Sequence, residues 1–296
     1  MLPSYKRSRL ILNTDAKNEA DDQFAIVHAL LTPSFDLHGL VPAHFGTGKS
    51  KVSLKDSRAE VEKLLSLMGI ARPVVADGAE GPIPNETTPN PSEGAALIVR
   101  EAMKDDKRPL YVAFLGPLTD MASALLTEPR LNERNVICVW IGGAPWPTGG
   151  HEYNLWNDVS AANVVMRSGI EVWQIPQNVY RMTSVGYAEL MERCYDRGAV
   201  GKYLVDQLIE YNLKVDGVWE HRPLGDTPAL SVVLNPNGGK FEWRPAPEFN
   251  SEMNYVHTGK HRPIKVYDSI DVRYILEDFF HKLARFGRGQ QELANF

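Results

Sequence analysis

The first 180 residues alternate between short apolar, β-branched runs and segments in which apolar residues recur every three to four positions. The runs predict strands at residues 9–14, 35–41, 73–78, 110–116, 135–143 and 171–176. The segments between them predict helices at residues 20–31, 57–69, 92–104, 117–126 and 158–169. Strands that alternate with helices at this spacing predict an α/β fold, in which a mostly parallel, Rossmann-like open sheet is flanked by helices.

The remainder of the chain is more helical. Apolar residues at three-to-four spacing predict helices at 187–198 and 201–215, and an amphipathic pattern predicts a terminal helix at 271–287. A strand-like run at 264–270 precedes this last helix. Because no internal repeat, low-complexity tract or linker interrupts the chain, we expect residues 1–296 to form one domain.

The composition is that of an ordinary globular protein, with 43% hydrophobic and 23% charged residues. A net charge of −5 provides no basic surface for nucleic acid or anionic lipid. The chain has two cysteines, Cys138 and Cys194, which cannot form a disulfide framework. No apolar run is long enough to span a membrane, and the N-terminus lacks a signal-peptide pattern. We therefore expect a cytoplasmic protein.

Four acids crowd the stretch between the first predicted strand and the first predicted helix: Asp15, Glu19, Asp21 and Asp22. One or two of them could cap the helix or favour its dipole. Capping does not explain why Asp15 stands at the end of the strand while Asp21 and Asp22 stand next to each other at the start of the helix. Carboxylates in one tight turn repel one another unless a cation or shifted pKa values relieve them. Oxygen-rich sites of this type favour Ca²⁺ or Mg²⁺ rather than zinc.

Ligands of open α/β sheets bind at the carboxyl ends of the strands. Three of the predicted strand ends carry distinctive residues, namely Asp15, the turn at 114–119 and the loop at 142–154. Their convergence predicts a binding site at this edge of the sheet.

Other metal and phosphate motifs are incomplete. The segment HFGTGKS (44–50) ends like a phosphate-binding loop, but Ala43 stands where that motif requires glycine. Asn13 stands at the first position of a D-x-D pattern, so the usual nucleophile of aspartyl-phosphate chemistry is missing. The eight histidines show neither HExxH nor close pairing, which argues against zinc.

Four motifs, in the same order, resemble those of the inosine–uridine nucleoside hydrolases. The family signature D-x-D, spacer, D-D corresponds here to Asn13-Thr14-Asp15, AKNEA, Asp21-Asp22. The segments FLGPLTDMA (114–122), WIGGAPWPTGGHEYNLWNDVSAANVV (140–165) and LGDTPAL (224–230) resemble the family's later motifs. The resemblance spans most of the chain and implies a nucleoside hydrolase-like fold.

Carried over residue by residue, the resemblance implies a Ca²⁺ site. Its carboxylate ligands would be Asp15, Asp22 and Asp226, and the backbone carbonyl of Leu115 would complete the protein's share. Asp15 would also be the general base for a water molecule at the ion.

The resemblance also implies a ribose site and a reaction. Asp21 would hydrogen-bond a ribose hydroxyl, while Asn154 and Glu152 would hold the 3′ and 5′ side of the sugar. The expected reaction is hydrolysis of the N-glycosidic bond of a ribonucleoside, or of a modified ribosyl compound, to ribose and free base. A homo-oligomer is also expected.

The sequence departs from the family around the sugar and the leaving group. The spacer AKNEA is two residues longer than usual, Asn13 replaces the first aspartate, and 41–49 lacks the family's V-x-G-N turn. Gly225 stands where many members carry a histidine that protonates the leaving base. His221 or His44 could substitute as the proton donor, with a solvated loop histidine as the alternative for each.

Three tryptophans, Trp146, Trp156 and Trp219, are candidate stacking surfaces for an aromatic leaving group, with core or interface packing as the alternative. Two other functions remain open at this point. Gly225 allows a protein that binds a ribosyl ligand without turnover, and the GTGKS segment allows a metal-dependent phosphohydrolase.

Overall fold

The computed structural model describes residues 3–71, 73–215 and 220–296. The strands are β1 (Ser8–Thr14), β2 (Phe35–Pro42), β3 (Leu110–Phe114), β4 (Val136–Ile141), β5 (Glu171–Ile175), β6 (Ser184–Gly186), β7 (His221–Pro223), β8 (Phe241–Pro245), β9 (Glu248–Phe249), β10 (Tyr255–Val256) and β11 (Pro263–Tyr267). The helices are α1 (Asp22–Leu30), α2 (Ser53–Leu67), α3 (Glu93–Ala102), α4 (Thr119–Thr127), α5 (Tyr153–Asn157), α6 (Val159–Arg167), α7 (Gln177–Tyr180), α8 (Tyr187–Leu190), α9 (Gly198–Val215), α10 (Thr227–Leu234) and α11 (Val272–Gly287). Ser4–Lys6 and Pro129–Glu133 form 3₁₀ turns, and Met191–Tyr195 is a π-helical turn.

Within the described residues, seven strands form one sheet in the order β2-β1-β3-β4-β5-β11-β8. All neighbouring pairs are parallel except β11 with β8. The predicted α/β fold with a mostly parallel sheet is therefore confirmed. Because β1, β3 and β4 lie side by side in parallel, the segments that follow them emerge at one edge of the sheet.

The sheet separates two apolar cores, and successive residues of a strand point to opposite cores. In β1, Leu10 and Leu12 belong to one core and Ile11 to the other. Helices α1, α9, α10 and α11 cover the first face, and α3, α4 and α6 cover the second. Every residue of α1 is buried, so its first residue, Asp22, lies inside the molecule.

Most predicted elements are present with shifted ends, and two predictions are wrong. Residues 73–78 do not form a strand: Val75 makes one isolated bridge to Leu40, and the Gly78 amide then bonds to the Pro42 carbonyl beyond the end of β2. Residues 187–198 are not one regular helix, because α8 passes into the π-helical turn Met191–Tyr195 and ends before Gly198.

Three further features concern the start of α3, the cysteines and membrane crossing. Ser92 caps α3 by accepting the Ala95 amide at 2.8 Å, and both cysteines are buried thiols. No helix in the described ranges combines the length and the apolar character that a membrane crossing requires.

Candidate active site

A cleft of about 420 Å³ opens where β1, β3 and β4 end. Asp15 follows β1, Leu115 follows β3, and Ile141 is the last residue of β4; all three line this cleft. The segment before α10 closes the cleft with Gly225 and Asp226. The strand ends that the sequence singles out therefore meet at one polar cleft.

Four aspartates from two distant segments of the chain lie on the floor of the cleft, three from residues 15–22 and one at position 226. One carboxylate oxygen each of Asp21, Asp22 and Asp226 lie within 4.8 Å of one another. Asp15, which is 1% exposed, lines the same cleft. The group of three close carboxylates thus contains Asp21, which the resemblance assigned to a ribose hydroxyl. Asp15, which the resemblance assigned to the cation, lines the same cleft beside this group.

Burial and mutual repulsion disfavour the charged form of all four acids. Desolvation raises the pKa of Asp21 to about 6 and that of Asp22 to about 7, and neighbouring carboxylates add to both shifts. The pKa values of Asp15 and Asp226 are raised for the same reasons. An all-oxygen cluster with this excess of negative charge fits a hard divalent cation, which would stabilise the ionised carboxylates.

Short contacts fix three of these carboxylates. The Thr14 hydroxyl donates to Asp22 at 2.5 Å, and the Gly225 amide donates to Asp21 at 2.8 Å. Asp15 packs so closely on Gly116 that a Cβ there would lie 2.9 Å from the Asp15 carboxyl carbon. The turn after β3 must therefore carry glycine at this point for Asp15 to keep its position.

Glu152 lies at the cleft wall with its hydrogen-bonding capacity filled. It caps α5 and accepts from the backbone amides of Gly143 (2.8 Å), Asn154 (3.2 Å) and Leu155 (2.9 Å). The Tyr180 hydroxyl donates the fourth bond at 3.0 Å. Because a carboxylate offers about four acceptor positions, Glu152 binds a sugar hydroxyl only if one of these donors gives way.

The Asn154 amide group supports the backbone around the cluster. Its nitrogen donates to the carbonyl oxygens of Leu115 and Ile141, each at 2.8 Å. Asn154 therefore orients the Leu115 carbonyl, the backbone group that the resemblance assigned to the cation.

The two candidate proton donors do not lie at the cleft. His44 is buried, accepts the Gly46 amide at 3.2 Å and contacts the Thr119 hydroxyl at 2.9 Å. Burial lowers its pKa to about 4, so the ring is neutral at physiological pH. His221 is exposed in β7, where it pairs with Gly186.

An aromatic ring packs directly against Gly225, the position at which many family members carry a histidine. A Cβ at Gly225 would lie 3.0 Å from the Tyr180 ring and 3.2 Å from an Asp21 carboxylate oxygen. Gly225 thus gives Tyr180 its place on the cleft wall. Sequence reasoning did not identify Tyr180, because no motif marks the short helix α7.

Other cleft residues were also missed, although the sequence held a signal for some. His151 and Tyr153 flank Glu152 in the HEYN motif, whereas Tyr211 and Arg222 lie outside every motif. Lys49 belongs to the GTGKS segment, yet its ammonium group donates to Asn18 and Tyr211 rather than standing open for a phosphate. This contact disfavours the phosphohydrolase hypothesis.

None of the candidate tryptophans within the described ranges lines the cleft. Trp146 packs against Tyr255 with ring centroids 4.7 Å apart, as its packing alternative predicts. Trp156 is half exposed beside Tyr153. Trp219 lies outside the described residues.

Comparison with known families gives one consistent match. The sequence model described as inosine-uridine preferring nucleoside hydrolase matches residues 10–275. Uridine nucleosidase 1 of Arabidopsis thaliana is 26% identical over 261 residues, which cover 78% of this chain and 75% of that protein. The pyrimidine-specific ribonucleoside hydrolase RihA of Salmonella paratyphi B is 25% identical over 73% of this chain and 76% of its own length.

Solved structures share the same fold. A purine-preferring ribonucleoside hydrolase from Gardnerella vaginalis superposes with a TM-score of 0.78 at 18% identity, over 95% of this chain and 99% of that chain. An inosine-guanosine nucleoside hydrolase gives a TM-score of 0.75 at 18% identity, over 94% and 98%.

Proposed function

Because the chain belongs to the inosine-uridine preferring nucleoside hydrolase family, whose members are N-glycosyl hydrolases, we propose that it is a Ca²⁺-dependent nucleoside N-ribohydrolase. Its substrate is a ribonucleoside or a modified ribosyl compound, and its products are ribose and the free base. One observation supports this proposal above all others: Asp15, Asp21, Asp22 and Asp226 meet, buried, on the floor of a single cleft.

The proposed cation ligands are Asp15, Asp22, Asp226 and the carbonyl oxygen of Leu115. All four residues line the cleft, and the contact from Asn154 holds the carbonyl in place. When bound, Ca²⁺ lowers the pKa of water and fixes the sugar hydroxyls. Asp21 lies within the tight group of oxygens, so it serves either the cation or a ribose hydroxyl that reaches it.

The protein's side chains supply the proton transfer and the stabilisation of charge during the reaction. Asp15 accepts the proton of the attacking water as general base. Cleavage of the N-glycosidic bond develops positive charge on the sugar, and the surrounding carboxylates stabilise this charge electrostatically. Asn154 holds the 3′ side of the sugar, and Glu152 contributes on the 5′ side through its bond to Tyr180.

The leaving-group side of the cleft differs from the metal side. Gly225 has no side chain that could supply a proton. The Tyr180 hydroxyl donates to Glu152, and burial together with the Glu152 charge raises the pKa of Tyr180. The nucleosides most easily cleaved are therefore those whose base leaves without protonation by a histidine at position 225. Named relatives act on uridine, pyrimidine ribonucleosides or purine ribonucleosides, so both base classes belong in a test.

The test is a reducing-sugar assay over a panel of purine and pyrimidine nucleosides in the presence of Ca²⁺. We expect ribose release from at least one nucleoside, and its loss on chelation and in Asp15→Ala, because both remove the group that activates water. Asp105→Ala is the matched control, since Asp105 is exposed and lies outside the cleft. Ribose release that survives both chelation and Asp15→Ala would contradict the proposal.

A second function is supported by one observation, the glycine at position 225 in place of a histidine. In this alternative, the chain binds a ribosyl ligand and turns it over little or not at all. Calorimetry that detects nucleoside binding while the assay detects no ribose would select it. The cytoplasmic location and the homo-oligomer remain predictions from the sequence.

A further inference from the structure

The segment between Asp15 and Asp21 contains the two additional residues that distinguish this chain from the usual family spacing. Asn18 and Glu19 of this segment line the cleft. Their contacts join the acid cluster to the cleft wall. The longer spacer therefore has a structural role that the family resemblance does not imply.

Asn18 binds Asp15 through side chain and backbone. Its amide nitrogen donates to Asp15 Oδ2 at 3.1 Å, and its backbone N–H donates to the Asp15 carbonyl at 2.8 Å. Asn18 is 6% exposed, so water competes little for these bonds. With Gly116 packed against the same carboxylate, Asp15 cannot rotate without breaking the bond to Asn18.

Lys49 sets the orientation of the Asn18 amide. The Lys49 ammonium donates to Asn18 Oδ1 at 2.8 Å and to the Asn18 carbonyl at 3.2 Å. Lysine is a donor without acceptor capacity, so it must face the amide oxygen. The amide nitrogen then necessarily points the other way, towards Asp15.

Further contacts keep Lys49 in this position. Its ammonium lies 3.6 Å from Glu19 Oε1, 3.3 Å from the Tyr211 hydroxyl and 4.6 Å from the centre of the Tyr153 ring. Glu19 is also ion-paired with Arg222. The longer spacer therefore ties the loop at 44–50, α9 and β7 together around the cleft.

We propose that Asn18 is a positioning residue for Asp15 and that Lys49 holds Asn18 in the orientation this requires. The inference rests on the proposed function, because it assumes that Asp15 is the general base. Asn18 contributes by restricting the carboxylate to one rotation, and a reacting group displaced by about 1 Å can cost about a hundredfold in rate.

The test compares Asn18→Asp with the wild-type chain in the ribose assay at saturating Ca²⁺. This substitution keeps oxygens for Lys49 and removes the donor to Asp15. We expect kcat to fall at least about tenfold with little change in KM, and thermal stability to fall modestly because the new carboxylate faces Asp15. Calorimetry should give Ca²⁺ binding at least as tight as in the wild type, because a carboxylate has been added beside the cluster.

Lys49→Met is the second variant and Lys51→Met its matched control, because Lys51 is exposed and does not line the cleft. We expect a several-fold lower kcat for the first and wild-type kinetics for the second. An unchanged kcat in Asn18→Asp would overturn the inference while leaving the proposed function intact. A purely structural role would lower thermal stability and leave kcat unchanged, which also overturns it. A wild-type chain that releases no ribose from any nucleoside overturns both proposals.

Discussion

Asn13 shows how one residue can change its role inside a retained motif. Its amide donates at 2.8 Å to Asp120, a buried acid that also accepts from the Ser92 hydroxyl (2.6 Å) and the Ala79 amide (3.0 Å). Asn13 therefore supplies a hydrogen-bond donor to the buried Asp120 carboxylate. The aspartate of the family signature would place two acids face to face at this point.

We predict that Asn13→Asp, which restores the family pattern, destabilises the protein by about 2–4 kcal/mol near neutral pH. A buried donor is lost, and one of the two carboxyl groups must then hold a proton. The loss of stability should be smaller at acidic pH, where one of the two carboxyl groups is more readily protonated. Urea denaturation measures it, with the exposed Asn178→Asp as control. Equal stability of Asn13→Asp and wild type would show that the Asp120 contact contributes little.

The acid cluster predicts the direction in which pH changes cation binding. The pKa is raised to about 6 for Asp21 and about 7 for Asp22, above the ordinary value of 3.8. The folded chain therefore retains protons here that the unfolded chain has lost, and without a cation these acids lower stability as pH rises through this range. A cation must displace those protons.

Ca²⁺ should consequently bind more tightly at about pH 8 than at about pH 5.5, and binding at the lower pH should release protons. Calorimetry in two buffers of different ionisation enthalpy measures both quantities. Affinity that stays constant or falls with rising pH would mean that the cation binds elsewhere.

At the scale of elements, the turn after β3 decides where Asp15 lies. A Cβ at Gly116 would lie 2.9 Å from the Asp15 carboxylate, whereas a Cβ at Gly81 would meet no atom within 4 Å. Neither glycine has a positive φ, so the two positions differ in space rather than in backbone conformation. Alanine substitutions at these two glycines form a matched pair that tests the packing against Asp15, the proposed general base.

We predict that Gly116→Ala lowers kcat at least about tenfold by displacing Asp15, and that Gly81→Ala has wild-type kinetics. The ribose assay gives the rates, and circular dichroism verifies that both variants are folded. Full activity of Gly116→Ala would contradict a fixed position for Asp15.

The strand-like runs at 9–14, 35–41, 110–116, 135–143 and 171–176 were predictable because parallel strands covered on both faces are continuously apolar. The run at 73–78 has only three apolar residues in succession, between Pro73 and Asp77, and it makes a single bridge to β2. Helix α10 was missed for the opposite reason: nearly all its residues are buried, so it shows no helical alternation of apolar and polar positions.

At the scale of the whole molecule, the site depends on chain segments that meet only after folding. The acids at 15–22 were predictable because they follow a recognisable strand end. Asp226 was identified through resemblance, since no local pattern connects it to the first strand. Its position follows from tertiary packing, in which α10 and α1 contribute to the same core. Tyr180 and the contacts of Asn18 could not be predicted, because they depend on side-chain directions that the sequence pattern does not encode.

Ca²⁺ titration calorimetry of the wild type and Asp226→Asn, paired with the ribose assay, tests most directly whether acids from both ends of the chain hold one catalytic cation. We predict one ion per wild-type chain, binding weakened by about a hundredfold in Asp226→Asn, and ribose release lost in parallel. The exposed Asp105→Asn should match the wild type. Undiminished Ca²⁺ affinity or undiminished ribose release in Asp226→Asn would contradict the account.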